Sequence, residues 1–536
     1  MAAGTEKAAS VELPRDSNQA LGTGRFAVDF LAGRLGPGPS SAVLERTKLF
    51  HTDAYLCAAS ALALRTNAPT LLRDEALDYP DEAGPGCSVF GSTELVKAEK
   101  AVVANCAAVR EWDANGTNFG YRPELGHTAG EFGHNDFYPV VIAACQQRGL
   151  DGAAALRAMV CLDEIRGRLA EVFSLKSYKI DHVVHGAIAS AAVYGALMGA
   201  TPEQIESAIG MAVAHYIPWR AIRAGEQLSD SKGASAAISA EAAVLCAKRA
   251  MAGFAGPRDI FRNPEAIFRY FEPTTEGKER WKEQGDSPFD LVLSHSGDDF
   301  AVMGMHFKLG LYEHQSASAL QGMTDLLLAN PGLADNRGHS IVRISIKAYE
   351  PAFGIIGNPM KMDPRTRQSA DHSMAYIVAT LLRKAFERPI SVRDAKSSDD
   401  LWRALMLSPQ DYRADESALF HPFTRELMKI IDFEHGGPEY DAQYPKGIPT
   451  SVRVETLSQG TLDSGLVLFP SGHAANTSAD LEGILKHKFR MLGRLALPDG
   501  ADVDVLVQRL EGLDAMSAAD IAGIYDFELA ERPGYE

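Results

Sequence analysis

The stretch AAVREWDANGTNFGYRPELGHTAGEFGHNDFYP, residues 107–139, sets a dense polar segment between two runs of small apolar residues. Arg110, Asp113, Asn115, Thr117, His127, Glu131, His134 and Asp136 all fall within it. If residues 109–117 are helical, Asp113 and Thr117 share one face at i and i+4, with Arg110 one turn earlier. The run that follows, spaced by Gly120, Gly126, Gly130 and Gly133, is too loop-like to continue that helix. A polar loop between apolar helices is where a scaffold usually displays chemistry. The competing reading is a solvated loop whose charges do nothing.

Working outward, residues 95–108 and 140–147 are rich in Ala, Val and Cys, as in close-packed helices. Residues 26–35 form a short amphipathic segment stopped by GPGPSS, and residues 42–64 a long helix with an apolar face. Residues 152–173 and the small-residue run 182–198 add two more. The next helix has a clear start, with Thr201 as N-cap, Pro202 in the first turn and Gln204 as capping-box partner. A polar connector, PWRAIRAGEQLSDSKG, leads to an apolar helix at 234–251. The character changes after Gly256. Residues 306–310, 341–348, 452–455 and 466–469 are candidate strands, the second alternating at period two. Residues 368–386 return to helix, as do 481–490 and 503–513. The fold class is therefore mainly α: a large helical domain from both chain ends (21–298 and 465–536), a smaller α/β domain between them (299–464) and a loose start (1–20).

At 536 residues the chain exceeds the roughly 250–300 at which single cores stop growing, so two or more domains are expected. A formal net charge of −17 with no basic stripe argues against nucleic acid as a partner. An anionic ligand would then need a local cluster of Arg and Lys. None of the six cysteines forms a CxxC, so neither zinc nor an iron–sulfur cluster is suggested, and buried reduced thiols are expected. The first residues lack a signal-peptide core and no uncharged run reaches membrane-spanning length, which predicts a cytoplasmic protein.

Several polar groups could carry chemistry. The connector holds Arg220, Arg223 and Lys232, suited to a carboxylate-rich ligand, because a guanidinium offers paired donors and Lys a mobile charge. An exposed helix–helix loop would also be basic. His182 and His185 lie one turn apart after Asp181, a weak metal signature for which capping or core hydrogen bonding is the simpler reading. Lys308 with Tyr312, Glu313, His314 and Gln315 forms a polar knot at a strand end. Asp371, His372 and Tyr376 open a helix, with His372 and Tyr376 at i and i+4; Asp371 there could simply complement the helix dipole.

Their joint order, with TRQSADHSMAYIVA (366–379) and FPSGHAANTSADLEGILKHKF (469–489) as its most specific pieces, resembles the MmgE/PrpD family. That family contains 2-methylcitrate dehydratases, cis-aconitate decarboxylases and iminodisuccinate epimerases. The resemblance runs from about residue 26 to 490. It implies an all-helical domain with an inserted lid, usually in a homodimer, and an active site between domains that uses no metal or organic cofactor. Residue by residue, it places Asp113, Thr117, His134, His182, Lys232, Lys308 and Tyr376 at the family's catalytic positions. Arg110, Asn115, Arg220, Arg223, Gln315 and His372 are the accompanying substrate-binding candidates. The segments VREWDANGT, DHVV and RAIRAGEQLSDSK lean toward the dehydratase branch. Two departures bear on substrate identity: Gly133-His134-Asn135-Asp136 stands where relatives commonly show G-H-P-S, and residues 312–315 differ from the usual lid sequence, apparently with a one-residue gap.

Dehydrating a β-hydroxy tricarboxylate needs a base for a carbon-bound proton, cations for the resulting carboxylate charge and an acid for the leaving hydroxide. His134 and His182 are the proton-transfer candidates, with either as base. Arg223, Lys232 and Lys308 would hold carboxylates, Asp113 would orient a histidine, and Tyr376 could donate a proton. The expected activity is a cofactor-independent hydro-lyase acting on 2-methylcitrate. Decarboxylation of cis-aconitate, epimerisation of an imino- or amino-dicarboxylate, and binding of a polycarboxylate or a partner protein without turnover are the alternatives.

Overall fold

The computed structural model describes residues 9–117, 120–270 and 285–535. Helices dominate, and their order follows the apolar periodicity read above. The helix Asp230–Met251 is the hub, packing against Ala98–Glu111, Val183–Met198 and Pro202–His215. Such close packing needs small side chains. At Gly186 any Cβ would fall 2.0 Å from the Phe137 ring, so this turn of Val183–Met198 admits no side chain. The capping box at Thr201 and Gln204 forms as the sequence predicts.

The later part carries a four-stranded sheet. Ile341–Ala348 is flanked by Ile431–His435 in parallel and by Thr450–Thr456 antiparallel, with Gly460–Asp463 beyond. The helix Ala317–Ala329 packs on Thr450–Thr456, covering an inner face alternating Val452 and Val454. Two expected strands are single bridges instead: His306 pairs with Thr117, and Val467 with Thr450. The expected loose start divides. Residues 1–8 lie outside the described residues, whereas Ser10–Leu13 pairs antiparallel with Leu291–Ser294. Part of the expected boundary region, residues 271–284, also lies outside the described residues.

The tail helix Leu481–Ala496 returns to pack on Ser41–Ala63. Lys488 pins it there from full burial: its Nζ lies 2.6 Å from Asp53 Oδ1 and donates to the carbonyls of Ala114 (2.6 Å) and Lys308 (2.8 Å). One ammonium thus ties two helices to the turn after Glu111 and to the Lys308 segment. All six cysteines are buried and unpaired with one another. Among the described residues no helix is long and apolar enough to cross a membrane.

Candidate active site

The helix Ala98–Glu111 ends where Trp112 turns extended, so Asp113 and Thr117 do not share a helical face as expected. They converge by another route. Thr117 exchanges backbone hydrogen bonds with His306 (3.0 and 2.7 Å) and bridges to His134. Tyr312 N donates to Asp113 O (3.0 Å) and Glu313 N to Asp371 O (2.9 Å). Four distant segments are stitched around one cavity.

Asp113 is its buried electrostatic centre. Arg110 Nη2 lies 3.1 Å and Lys232 Nζ 3.2 Å from Oδ2, and Lys308 Nζ contacts Oδ1. Burial opposes ionisation of Asp113, but Arg110, Lys308 and Lys232 outweigh it and hold the carboxyl well below the usual carboxylate range. Lys232 also bridges to Asp371 Oδ1 at 3.0 Å, and Asp371 in turn accepts from His372 Nδ1 at 2.7 Å. Asp113, Asp371 and His372 present ligand-type atoms within 4.8 Å of one another. The positive charge such a group would draw is already supplied by Lys232 and Lys308, so the arrangement works as an ion-pair network.

The two histidines differ in what their nitrogens face. His134 Nε2 lies 3.3 Å from Arg110 Nη2 and Nδ1 3.5 Å from Lys308 Nζ. Burial, then Arg110 and Lys308, keeps its pKa well below the imidazole value. His182, whose ring centroid is 5.3 Å from that of His134, has both ring nitrogens buried without a hydrogen-bond partner. Burial, reinforced by Arg223 and Arg220 and opposed by Asp181, lowers its pKa well below 6.5. Both are neutral near pH 7, and His182 is the one with a lone pair unclaimed by a cation.

The cavity wall also holds unspent donors. Arg110 Nη1 and Arg220 Nη1 lack hydrogen-bond partners, as do both amide atoms of Gln315. Arg223 pairs with Asp181, whereas Arg220 and Lys361 have no carboxylate partner among the described residues; Lys361 Nζ donates to Gly225 O at 2.8 Å. Phe132, Leu228 and Ile355 supply an apolar side. Past Ile355 and Lys361 the cavity adjoins a second, more open one bordered by Lys176, Lys179, Arg220 and Arg223.

Two family domains match this chain: the MmgE/PrpD N-terminal domain over residues 30–279 and the MmgE/PrpD C-terminal domain over residues 316–511. The chain belongs to the MmgE/PrpD family. It is 24% identical over 383 residues to the mitochondrial 2-methylcitrate dehydratase of Yarrowia lipolytica, covering 70% of this chain and 67% of that protein. It is 23% identical over 349 residues to an alkylcitrate dehydratase of a fungal species, covering 64% and 62%. The chain thus spans about two thirds of the first relative's length and less of the second's.

Of the site residues expected from the sequence, Arg110, Asp113, Thr117, His134, His182, Arg220, Arg223, Gln315 and His372 line the cavity. Lys232 and Lys308 stand directly behind it on Asp113. Two do not reach it. Asn115 donates to Asp136, which lies 3.7 Å from Arg110 Nε, so it braces the wall from behind. Asn135 likewise donates to Phe50 O (3.1 Å), so the Asn135-Asp136 pair is support for the loop and does not border the cavity. Tyr376 is the larger correction. The expected helix breaks at Asp371–Ser373 and restarts at Met374 with Ser373 as N-cap, so His372 and Tyr376 are not on one face. The Tyr376 hydroxyl donates to Asp411 O at 2.6 Å, away from the cavity. Tyr376→Phe is expected to leave turnover within about twofold while costing about 1 kcal/mol of stability, the usual worth of one hydrogen bond; parallel rate and melting measurements check this.

His185 fits the plain reading given to it, with Nε2 3.0 Å from Phe173 O in the core. Sequence reasoning did not assign Glu313, Lys361, Phe132, Leu228 or Ile355. Glu313 carried a signal, as did His314, which also lines the cavity, both as parts of the polar knot around Lys308.

Proposed function

We propose that this protein is a hydro-lyase that dehydrates a citrate-like tricarboxylate bearing an alkyl substituent, 2-methylcitrate being the first candidate. The observation that carries the reading is the placement of His182, neutral and with free ring nitrogens, against unpaired donors of Arg110, Arg220 and Gln315. Those donors and Lys361 suit a ligand with several carboxylates. Phe132, Leu228 and Ile355 suit its alkyl group, and the lysine- and arginine-bordered outer cavity suits capture of an anion by a protein of net charge −17. The names of both relatives agree with this substrate class. The site lies among residues we assign to a helical domain (21–298, 465–536) and a lid (299–464).

His182 takes the carbon-bound proton. The Arg and Lys side chains stabilise the charge that builds on the adjoining carboxylate, and hydroxide departs from the neighbouring carbon. A bound trianion favours the protonated imidazole, so the substrate itself strengthens the base. Proton NMR of chelator-treated protein with 2-methylcitrate, citrate and cis-aconitate tests this. A vinylic product from 2-methylcitrate, formed faster than from citrate, is expected. Itaconate-type product from cis-aconitate alone would refute the dehydratase reading.

A further inference from the structure

We propose that Glu313 is a catalytic acid of this site, giving its carboxyl proton to the hydroxyl that leaves the substrate. The inference rests on the dehydratase reading above and names the proton donor that reading lacks once Tyr376 is removed from the cavity.

Glu313 is an anomaly in an anion-binding cavity. It borders the space directly, yet forms no ion pair among the described residues. Its backbone is fixed on both sides: N donates to Asp371 O, and O accepts from Ser316 Oγ at 2.5 Å. Oε2 accepts from Gln315 N at 2.8 Å, which orients the carboxyl without neutralising it.

The surroundings keep the proton on. Burial, then the charge of Asp113, pushes Glu313 up to about 8, against the opposing pull of Lys308, Lys232 and the Gln315 amide. The other groups that face it are Arg220 on the connector and the tyrosines Tyr349 and Tyr444. Asp113 already claims Lys308 and Lys232, so neither is free to pair with Glu313. A bound tricarboxylate adds negative charge and strengthens the hold on that proton.

The step balances. His182 removes the carbon-bound proton, the C–H electron pair becomes the new C=C bond, and the C–O bond breaks with its electrons on oxygen. Glu313 supplies the proton that makes this oxygen water. The resulting Glu313 carboxylate and His182 imidazolium return to their starting forms through solvent after product leaves.

The test compares wild type, Glu313→Gln and Glu313→Asp as full-length protein. Glu313→Gln keeps the shape and an acceptor for Gln315 N, and is expected to lower kcat about 100-fold, in the range of a lost general acid, with KM little changed. Glu313→Asp should retain part of the rate. A tricarboxylate with chloride in place of the hydroxyl needs no proton to depart, so wild type and Glu313→Gln should process it alike. Equal rates on the hydroxy acid, or an equal loss on the chloride, would overturn the assignment. Calorimetry with tricarballylate, which has no leaving group, separates the two ideas. Wild type should take up a proton on binding at about pH 8, and Glu313→Gln should take up markedly less, keeping only the share that His182 gains beside the bound anion. Uptake undiminished in Glu313→Gln sinks the inference whatever the turnover. Uptake diminished in Glu313→Gln, beside a wild type inert to every hydroxy acid, sinks the dehydratase reading and keeps Glu313 as the proton-holding group.

Discussion

Asp113→Ala is expected to destabilise the protein by about 3–5 kcal/mol and to abolish turnover. Removing one partner of a buried pair costs that much because the other charge is left without compensation. Here three cations depend on one carboxylate: Arg110, Lys232 and Lys308, each 1% exposed or less. Lys232 would keep Asp371, but Lys308 has no other carboxylate within ion-pair distance among the described residues. A drop in thermal midpoint with loss of activity is the expected result, and an unchanged midpoint would refute the central role given to this carboxylate. The double variant Asp113→Asn/Lys308→Met should recover part of the stability, since it removes the stranded ammonium together with its partner. It should not recover activity. That divergence separates the structural share of Asp113 from its share in ordering the site.

The pH response of Asp113 has the same origin. Its folded pKa is depressed, so its contribution is present above the unfolded carboxylate value of about 3.9 and fades only as pH falls below that. The network therefore persists across the neutral range in which the reaction is proposed to run.

The helical architecture was legible because apolar periodicity and caps are local properties. Thr201 and Gln204 form their box from hydrogen bonds within four residues, and Ser373, two residues beyond Asp371, caps its helix by accepting from Tyr376 N. Where tertiary contacts compete, local reading failed. Residues 109–117 carry helical spacing, but Trp112 turns out to bury its ring and donate to Ser60 Oγ (2.9 Å), and the helix ends at Glu111, well before Thr117. The same turn places the Asp113 carboxylate toward Lys308, a residue 195 positions away. Tyr376 was misread because i and i+4 spacing presumes one helix through His372, and Ser373 starts a new one. Leu228 reaches the cavity from a connector, and Ile355 and Lys361 from the short helical turns Ala352–Ile356 and Pro359–Lys361, whose meeting is a consequence of the fold, so no spacing along the chain marks them.

His182→Ala is expected to lower kcat about 10³-fold, within the range for a lost general base, while the protein keeps its thermal midpoint to within a few degrees. The ring makes no hydrogen bond in the free protein, so its removal breaks none. Imidazole added to the Ala variant should restore part of the rate by occupying the vacated space. His134→Ala should also be slow, but for another reason: it removes a ring wedged between Arg110 and Lys308, and free imidazole should not replace it there. Rescue of His134→Ala alone would reverse the two roles. The wild-type pH profile supplies a second check. Burial and the flanking guanidinium groups of Arg223 and Arg220 keep His182 neutral below the ordinary histidine value of about 6.5. The acid limb of kcat/KM, which reports the free enzyme, should therefore lie below pH 6.5. The limb for kcat should move upward, because substrate carboxylates beside the ring stabilise its protonated form. An acid limb that does not move between the two profiles would mean that no anion comes to rest near His182, and the base would have to be sought elsewhere in the cavity.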